Sequence, residues 1–280
     1  MKLMITTGRR PSDAQTQRAR DLANALHATF IPRSTSVESQ RKQWGAAAAY
    51  VVLKTREELR LGGASLYVHP GMLYLKQRDG LRHPLIRAVA PQDGVPVRSI
   101  LDGTLGLAGD AIHIASVLPA VKIVGCEVSP VLHALLEEGL ARLSAEHGRP
   151  WAAAAARVRP IHSHSEDYLG QMDSSSVDVI YLDPMFPLGQ ASTTGFDVAR
   201  SFASPMAPSD NLLFHALRVA RARVVMKIPG ASAPPSAQPP ETGWNRRIRG
   251  GSVDYLVAEL ELSHPEWQAP DLGIGPSESG

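Results

Sequence analysis

The sequence predicts an α/β protein in which a mostly parallel sheet carries helices on both faces, behind a small α+β N-terminal domain. Three observations predict it. From Val97 onward, apolar strand-like runs alternate with helical stretches, and Gly, Pro or an acid marks the junctions. The distinctive polar residues fall at the ends of those runs, where open parallel sheets take up ligands. Residues 1–90 lack this alternation and read as short strands around one helix.

Taken in order, Lys2–Thr6 is a short strand, and Ser12 or Asp13 caps a helix running to about His27. Ala46–Lys54 is the next strand, and Arg60–Val68 another, turned through Gly62-Gly63. His69-Pro70-Gly71 is punctuation, and the domain boundary falls between Pro84 and Val97, near residue 90. Beyond it come a strand at Val97–Leu101, a helix at Ala111–Leu118 and a strand at Val121–Cys126. Pro130 opens a helix through about Glu146, at a position where the missing N–H of proline is harmless. A loop containing the alanine run Ala152–Ala156 leads to strands at Val158–Ile161 and Val177–Leu182. Asn211–Ala220 is a helix, Val224–Ile228 a fifth strand, and Ile248–Leu262 a hairpin turning at Gly250-Gly251. Residues 232–240 are a Pro- and Ser-rich loop, and 265–280 form a disordered tail.

Composition narrows the classes. Hydrophobic residues at 44% and charged residues at 20% suit a globular chain that buries a core without staples. The lone cysteine, Cys126, excludes an internal disulfide framework and a Cys-based zinc site, and suits the cytoplasm. Arg9-Arg10 follow the first apolar stretch too soon for a signal peptide, and no run approaches the roughly 20 apolar residues of a membrane helix. Neither a leader nor a membrane partner is expected. Net charge is only +2, but basic residues gather in Arg9-Arg10, Arg41-Lys42, Lys76 to Arg78 with Arg82, and Arg246-Arg247 with Arg249. Such patches grip nucleic acid if folding brings them onto one face.

Residues 100–110 contain a strand ending in Asp102, then a turn carrying Thr104 and Gly106 that opens a helix at Gly109-Asp110. Glycines there allow a ligand close to the backbone. The glycines at 103, 106 and 109 are not spaced as in a dinucleotide fingerprint, and Asp102 and Asp110 would repel a pyrophosphate. A nucleoside cofactor bearing an amine and a sulfonium, S-adenosylmethionine, suits those acids. Glu127 ends the next strand 25 positions after Asp102, where a carboxylate accepts hydrogen bonds from ribose hydroxyls. The third strand ends in Ile161-His162-Ser163-His164-Ser165, small polar residues suited to an adenine. His162 and His164 share a side but lack a third ligand, so no metal is expected.

After the fourth strand the chain reads Asp183-Pro184-Met185-Phe186-Pro187, a stiff loop. An exocyclic amine on a base is a poor nucleophile because its lone pair is delocalised. Asp183 and the Pro184 carbonyl can each accept one of its N–H groups and aim the lone pair at a methyl donor. Phe186 can stack on the base, a contact worth about 1–3 kcal/mol. Lys227 on the fifth strand either meets substrate phosphate or caps the strand.

At these residues the chain resembles the class I methyltransferases that modify exocyclic amines, and more closely the RsmJ family of small-subunit rRNA guanine-N2 methyltransferases. The resemblance lies in DGTLGLAGDA at 102–111, EVSPV at 127–131, Ile161 to Ser165, IYLDPMFP at 180–187 and VVMKIP at 224–229. It implies a Rossmann-like sheet over 91–264, S-adenosylmethionine as cofactor, and rRNA or the small ribosomal subunit as substrate. It also places Gly109, Asp110, Glu127, Val128, His164, Ser165 and Asp183 at the cofactor, and Arg78, Arg82 and Lys227 are candidates for the RNA. Departures are Ala108 for a glycine, Gly109 and Val128 for arginines, and His164 for a serine. Three alternatives stay open: a nicotinamide-dependent oxidoreductase, which the turn disfavours, a non-catalytic cofactor-binding RNA-binding protein, and a same-fold enzyme acting on adenine N6 or on protein.

Overall fold

Two sheets organise the chain in a computed structural model that describes residues 2–70, 79–90, 96–184, 208–230, 232 and 243–260. The first contains β1 (Leu3–Thr7), β2 (Thr29–Phe30), β3 (Ala48–Val52), β4 (Glu57–Leu61) and β5 (Ala64–Leu66), in the order β2-β1-β3-β4-β5. The first three of these are parallel, and β4 and β5 add on antiparallel. Helix α1 (Asp13–Ala25) starts at a complete capping box, Ser12 with Gln15. Two elements that the sequence reading did not anticipate, β2 and α2 (Val37–Gln43), are short and largely polar, so neither builds up a hydrophobic period. The strand expected at Arg60–Val68 is instead a hairpin that begins at Glu57 and turns through Gly62 and Gly63, both at positive φ. The charge of Glu57-Glu58 hid its start. Both are buried and paired: Glu57 accepts from the buried Tyr50 Oη at 2.5 Å and from Arg18 Nε at 2.8 Å, and Glu58 pairs with Arg56 and Arg60, the arginine side chains reaching toward the surface.

The second sheet contains β6 (Ser99–Asp102), β7 (Lys122–Glu127), β8 (Val158–His162), β9 (Val177–Leu182), β10 (Ala220–Pro229), β11 (Arg246–Arg249) and β12 (Val253–Glu259). Their order is β11-β12-β10-β9-β6-β7-β8. The five strands from β10 to β8 are parallel, and β12 and β11 close one edge antiparallel. The chain enters at β6, moves outward to β7 and β8, and returns to β9 on the other side of β6. That reversal is the switch point where such sheets bind ligands.

Successive residues of each strand point to opposite faces, and both faces are covered. Ile100, Ile123, Tyr181 and Val225 pack with α3 (Pro84–Val89), α4 (Gly109–Val117), α5 (Pro130–Ser144) and α6 (Ala152–Ala155). Leu101, Val124, Ile180 and Val224 pack with α7 (Ser165–Gly170) and α8 (Asp210–Val219). The alanine run is thus helical. Helix α5 also joins the sheets, since Leu132 and Leu135 sit in the core of the first while Leu136 and Leu140 sit in that of the second. Gly139 permits this, because a Cβ there would overlap the Val68 side chain. Buried Asp178 anchors the start of β6 to β9 by accepting from the Arg98 and Ser99 amides and from Arg221. Among the described residues no helix is long and apolar enough to cross a membrane. The Pro- and Ser-rich loop, but for Ser232, and the tail lie outside the described residues.

Candidate active site

The carboxyl ends of β6, β9 and β10 converge on one hydrogen-bond network, with the end of β7 beside it. Asp102, the last residue of β6, is buried, and its Oδ1 accepts from the Thr104 amide at 2.9 Å and the Thr104 hydroxyl at 3.3 Å. That hydroxyl in turn accepts from the Asp183 amide at 2.6 Å, so one threonine ties the cofactor turn to the end of β9. A Cβ on Gly103 would stand 2.7 Å from Leu182 Cδ2 and 3.3 Å from Ser165 Cβ, so the turn passes close against the end of β9 and the start of the helix after β8. Gly106 adopts φ +54. Ala108, the N-cap of α4, sits at φ +58, where a side chain costs roughly 1–2 kcal/mol; the resembling family has glycine there. Such strain is kept where the turn must hold one shape.

Burial, with a smaller push from the charges of Asp110 and Asp183, raises the Asp102 carboxyl to about 7 against the pull of the Thr104 amide. Glu127 ends β7, buried, with Oε1 accepting from the Ser129 amide at 2.8 Å. Burial raises it to about 6, opposed by the amides of Ser129, Gly106 and Val128. Both acids are therefore held in a dry site that stabilises their charge only in part. A cationic or hydroxyl-bearing ligand supplies what is missing.

Lys227, expected to meet a phosphate or cap its strand, bridges two carboxylates. Its Nζ lies 2.8 Å from Asp110 Oδ2 and 2.7 Å from Asp183 Oδ2. Burial lowers its pKa, but the two carboxylates outweigh that and hold it above the ordinary lysine value. Tyr181 also donates to Asp110 Oδ2, at 2.8 Å. Sequence reading missed Tyr181, Ser129 and the tethering role of Thr104. Tyr181 carried a signal all the same, as a polar tip within the apolar run VDVIYL.

At the end of β8, His164 is the N-cap of α7 without a side-chain cap bond, and Ser165 opens the helix against Gly103. Helix α7 itself was not anticipated. Val128 is 41% exposed, its carbonyl 3.2 Å from His162 Nε2, so its backbone borders the site. Gly109 starts α4 beside Asp110. No group of three metal-ligating side chains occurs among the described residues. Asp183 and Pro184 are described; Phe186 and Arg78 lie outside the described residues, and Arg82 stands exposed in the turn before α3.

The residues fit S-adenosylmethionine. Two buried acids sit at adjacent strand ends, the turn between them carries Gly106 at positive φ and Gly109 open to space, and Asp110 stands at the helix start where a phosphate would need positive charge. Comparison with known proteins agrees. Residues 46–248 match the family described as "Putative SAM-dependent methyltransferase". "Uncharacterized protein YpiP" of Bacillus subtilis (strain 168) is 31% identical over 230 residues, 80% of this chain and 88% of that protein. A protein of Aeromonas hydrophila named "Ribosomal RNA small subunit methyltransferase J" is 35% identical over 224 residues, 77% of this chain and 84% of its own. The crystal structure of a SAM-dependent methyltransferase from Neisseria gonorrhoeae superposes with a TM-score of 0.63 at 21% identity, covering 91% of this chain and 95% of the other. With the family match spanning most of the chain over a sheet of this order, the chain belongs to the SAM-dependent methyltransferases, and S-adenosylmethionine is its cofactor.

Proposed function

We propose that the chain transfers a methyl group to an exocyclic base amine of small-subunit (16S) rRNA, with guanine N2 as the target. The observation that carries this reading is the seat of Asp183. It follows the end of β9, its backbone amide held by Thr104 of the cofactor turn and its carboxylate by Lys227 of β10. The relatives named rRNA methyltransferases support RNA as the acceptor. A cytoplasmic setting follows from such a substrate.

Glu127 would hold the ribose hydroxyls, the backbone at Gly106, Gly109 and Val128 the nucleoside, and Asp102 and Asp110 would favour its cationic groups. His164 and Ser165 would border the adenine. When bound, the cofactor supplies an electrophilic methyl on a sulfonium. The work of the chain is to orient the acceptor. Asp183 accepts one amine N–H and the Pro184 carbonyl the other, which turns the lone pair out of conjugation and toward the methyl carbon. Phe186 would stack on the base. Alignment of this kind can supply about 7–11 kcal/mol of the barrier.

The test is transfer of labelled methyl from the cofactor to 30S subunits, naked rRNA, DNA and total protein, followed by nucleoside mass spectrometry. N2-methylguanosine is expected. Label in N6-methyladenosine would move the target base, label in protein would reject RNA as acceptor, and intact cofactor binding without transfer would reject catalysis on these acceptors.

A further inference from the structure

The active-site edge continues beyond β10 onto the antiparallel hairpin. Lys227 pairs with Tyr255, and Tyr255 with Ile248; one residue on, Ile228 pairs with Asp254, and Asp254 with Arg249. At about 4.8 Å per strand, the Arg249 backbone stands roughly 10 Å across the sheet from Ile228. The turn that follows is packed from two sides. A Cβ on Gly230 would meet Gly251 O at 3.0 Å, and one on Gly250 would meet Pro84 Cβ at 3.6 Å. Pro84 opens α3, whose far end is tied by Arg223 Nη1 to Ala88 O at 2.9 Å, on the amino half of β10. Helix α3 therefore starts at the carboxyl edge, and the 3₁₀ turn Gly80–Arg82 before it is carried to the same place.

What this edge displays is unspent charge and apolar surface. Arg221 pairs with Asp178, Arg223 and Arg246 with Glu259, and Arg247 with Asp254. Arg82 and Arg249 are exposed and make no ion pair among the described residues. Leu81, beside Arg82, is 67% exposed. Arg249 shares the sheet face of Ile228 and Asp254, while the helix behind Leu81 and Arg82 packs on the opposite face with Tyr255 and Ile248, so the two arginines flank the carboxyl edge from either side. We propose that Arg82, Arg249 and Leu81, set across that edge, form the docking surface for the RNA strand that flanks the target nucleotide. The guanidiniums take phosphates and Leu81 packs against a base or sugar. This rests on RNA being the acceptor.

The experiment uses the full chain as wild type, as Arg82→Gln/Arg249→Gln and as Leu81→Ala, with methyl transfer to rRNA followed across salt concentration. Both arginines are exposed and make no ion pair among the described residues, so the core is not at stake. For the double variant, KM for RNA should rise about tenfold or more, with kcat falling far less and cofactor affinity by calorimetry unmoved. The slope of log KM against log salt should fall by about 1.5, from two lost phosphate contacts. Leu81→Ala should raise KM severalfold without changing the slope. A wild type active on rRNA whose variants keep its KM and slope overturns this surface and leaves the substrate reading intact. A drop confined to kcat overturns it as well. A wild type that labels no RNA removes both readings together.

Discussion

Lys227→Met keeps the length and apolar stem of the side chain and deletes the charge that Asp110 and Asp183 share. With Nζ at 2.8 and 2.7 Å from the two carboxylates, each contact carries roughly 6 kcal/mol of attraction at an effective dielectric of about 20. Desolvation takes most of that back, and losing one partner of a buried pair typically costs about 3–5 kcal/mol. The Asp183 side chain is 37% exposed, so water recovers part of its solvation and the lower end applies, about 3 kcal/mol. In a chain of this size that is a fall in Tm of roughly 6–12 °C. Because the Lys227 pKa is raised, its contribution is complete below the ordinary lysine pKa and is lost only as pH rises through the higher folded value. The gap between wild type and variant should therefore be flat from neutral pH to about pH 9. Much of the loss is stranded carboxylate, so Lys227→Met/Asp110→Asn should lose less than the two singles together, by about 1–3 kcal/mol. Thermal and denaturant unfolding of the four proteins of this cycle measures it. A Lys227→Met protein within about 0.5 kcal/mol of wild type, or an additive double variant, refutes the bridge as a structural element.

Asp183→Ala should abolish methyl transfer while calorimetry finds cofactor affinity much less affected; retained transfer removes Asp183 from the chemistry. Glu127→Gln should weaken cofactor binding about tenfold or more, because the hydrogen bonds lost are to a charged acceptor. In the wild type, affinity should rise with pH through about 6 as Glu127 ionises, and the variant should flatten that rise. Stability of the ligand-free protein runs the other way. The raised Glu127 pKa contributes stability that is complete below about 4.5 and is lost as pH rises through about 6. Gly139→Ala should destabilise by about 1–3 kcal/mol through overlap with Val68, and Val68→Ala should restore part of the loss in that background.

The second sheet was legible because each of its parallel strands is a complete local signal. Val177–Leu182 is an apolar run broken only by Asp178, and its observed limits are the predicted ones. Asp102, Glu127 and Asp183 announced themselves by ending such runs. Short elements gave less. Helix α2 had Ser36 as a cap but only two buried residues in seven, and β2 is two residues long. Helix α7 hid in His164-Ser165-Glu166-Asp167, a string that reads as a polar loop. Its first-turn acids are in fact a helix-start signal, one that complements the dipole.

The Lys227 bridge was beyond local reading for a different reason. Lys227 lies 117 positions from Asp110 and 44 from Asp183, and no pattern in the chain links the three. They meet because β9 is seated between β6 and β10, an order set by the reversal at the switch point. That order brings the three together: the start of the helix after β6, the end of β9 and the third-last residue of β10 all open on one edge. The acid that would orient the acceptor amine is thus held by a residue for which the sequence left two roles open, meeting a substrate phosphate or capping its strand. Lys227 is a positioning residue by its contacts. In the docking proposal, the task of meeting phosphate falls instead to Arg82 and Arg249, which make no ion pair among the described residues and which the packing of the hairpin turn on Pro84 brings to the same edge.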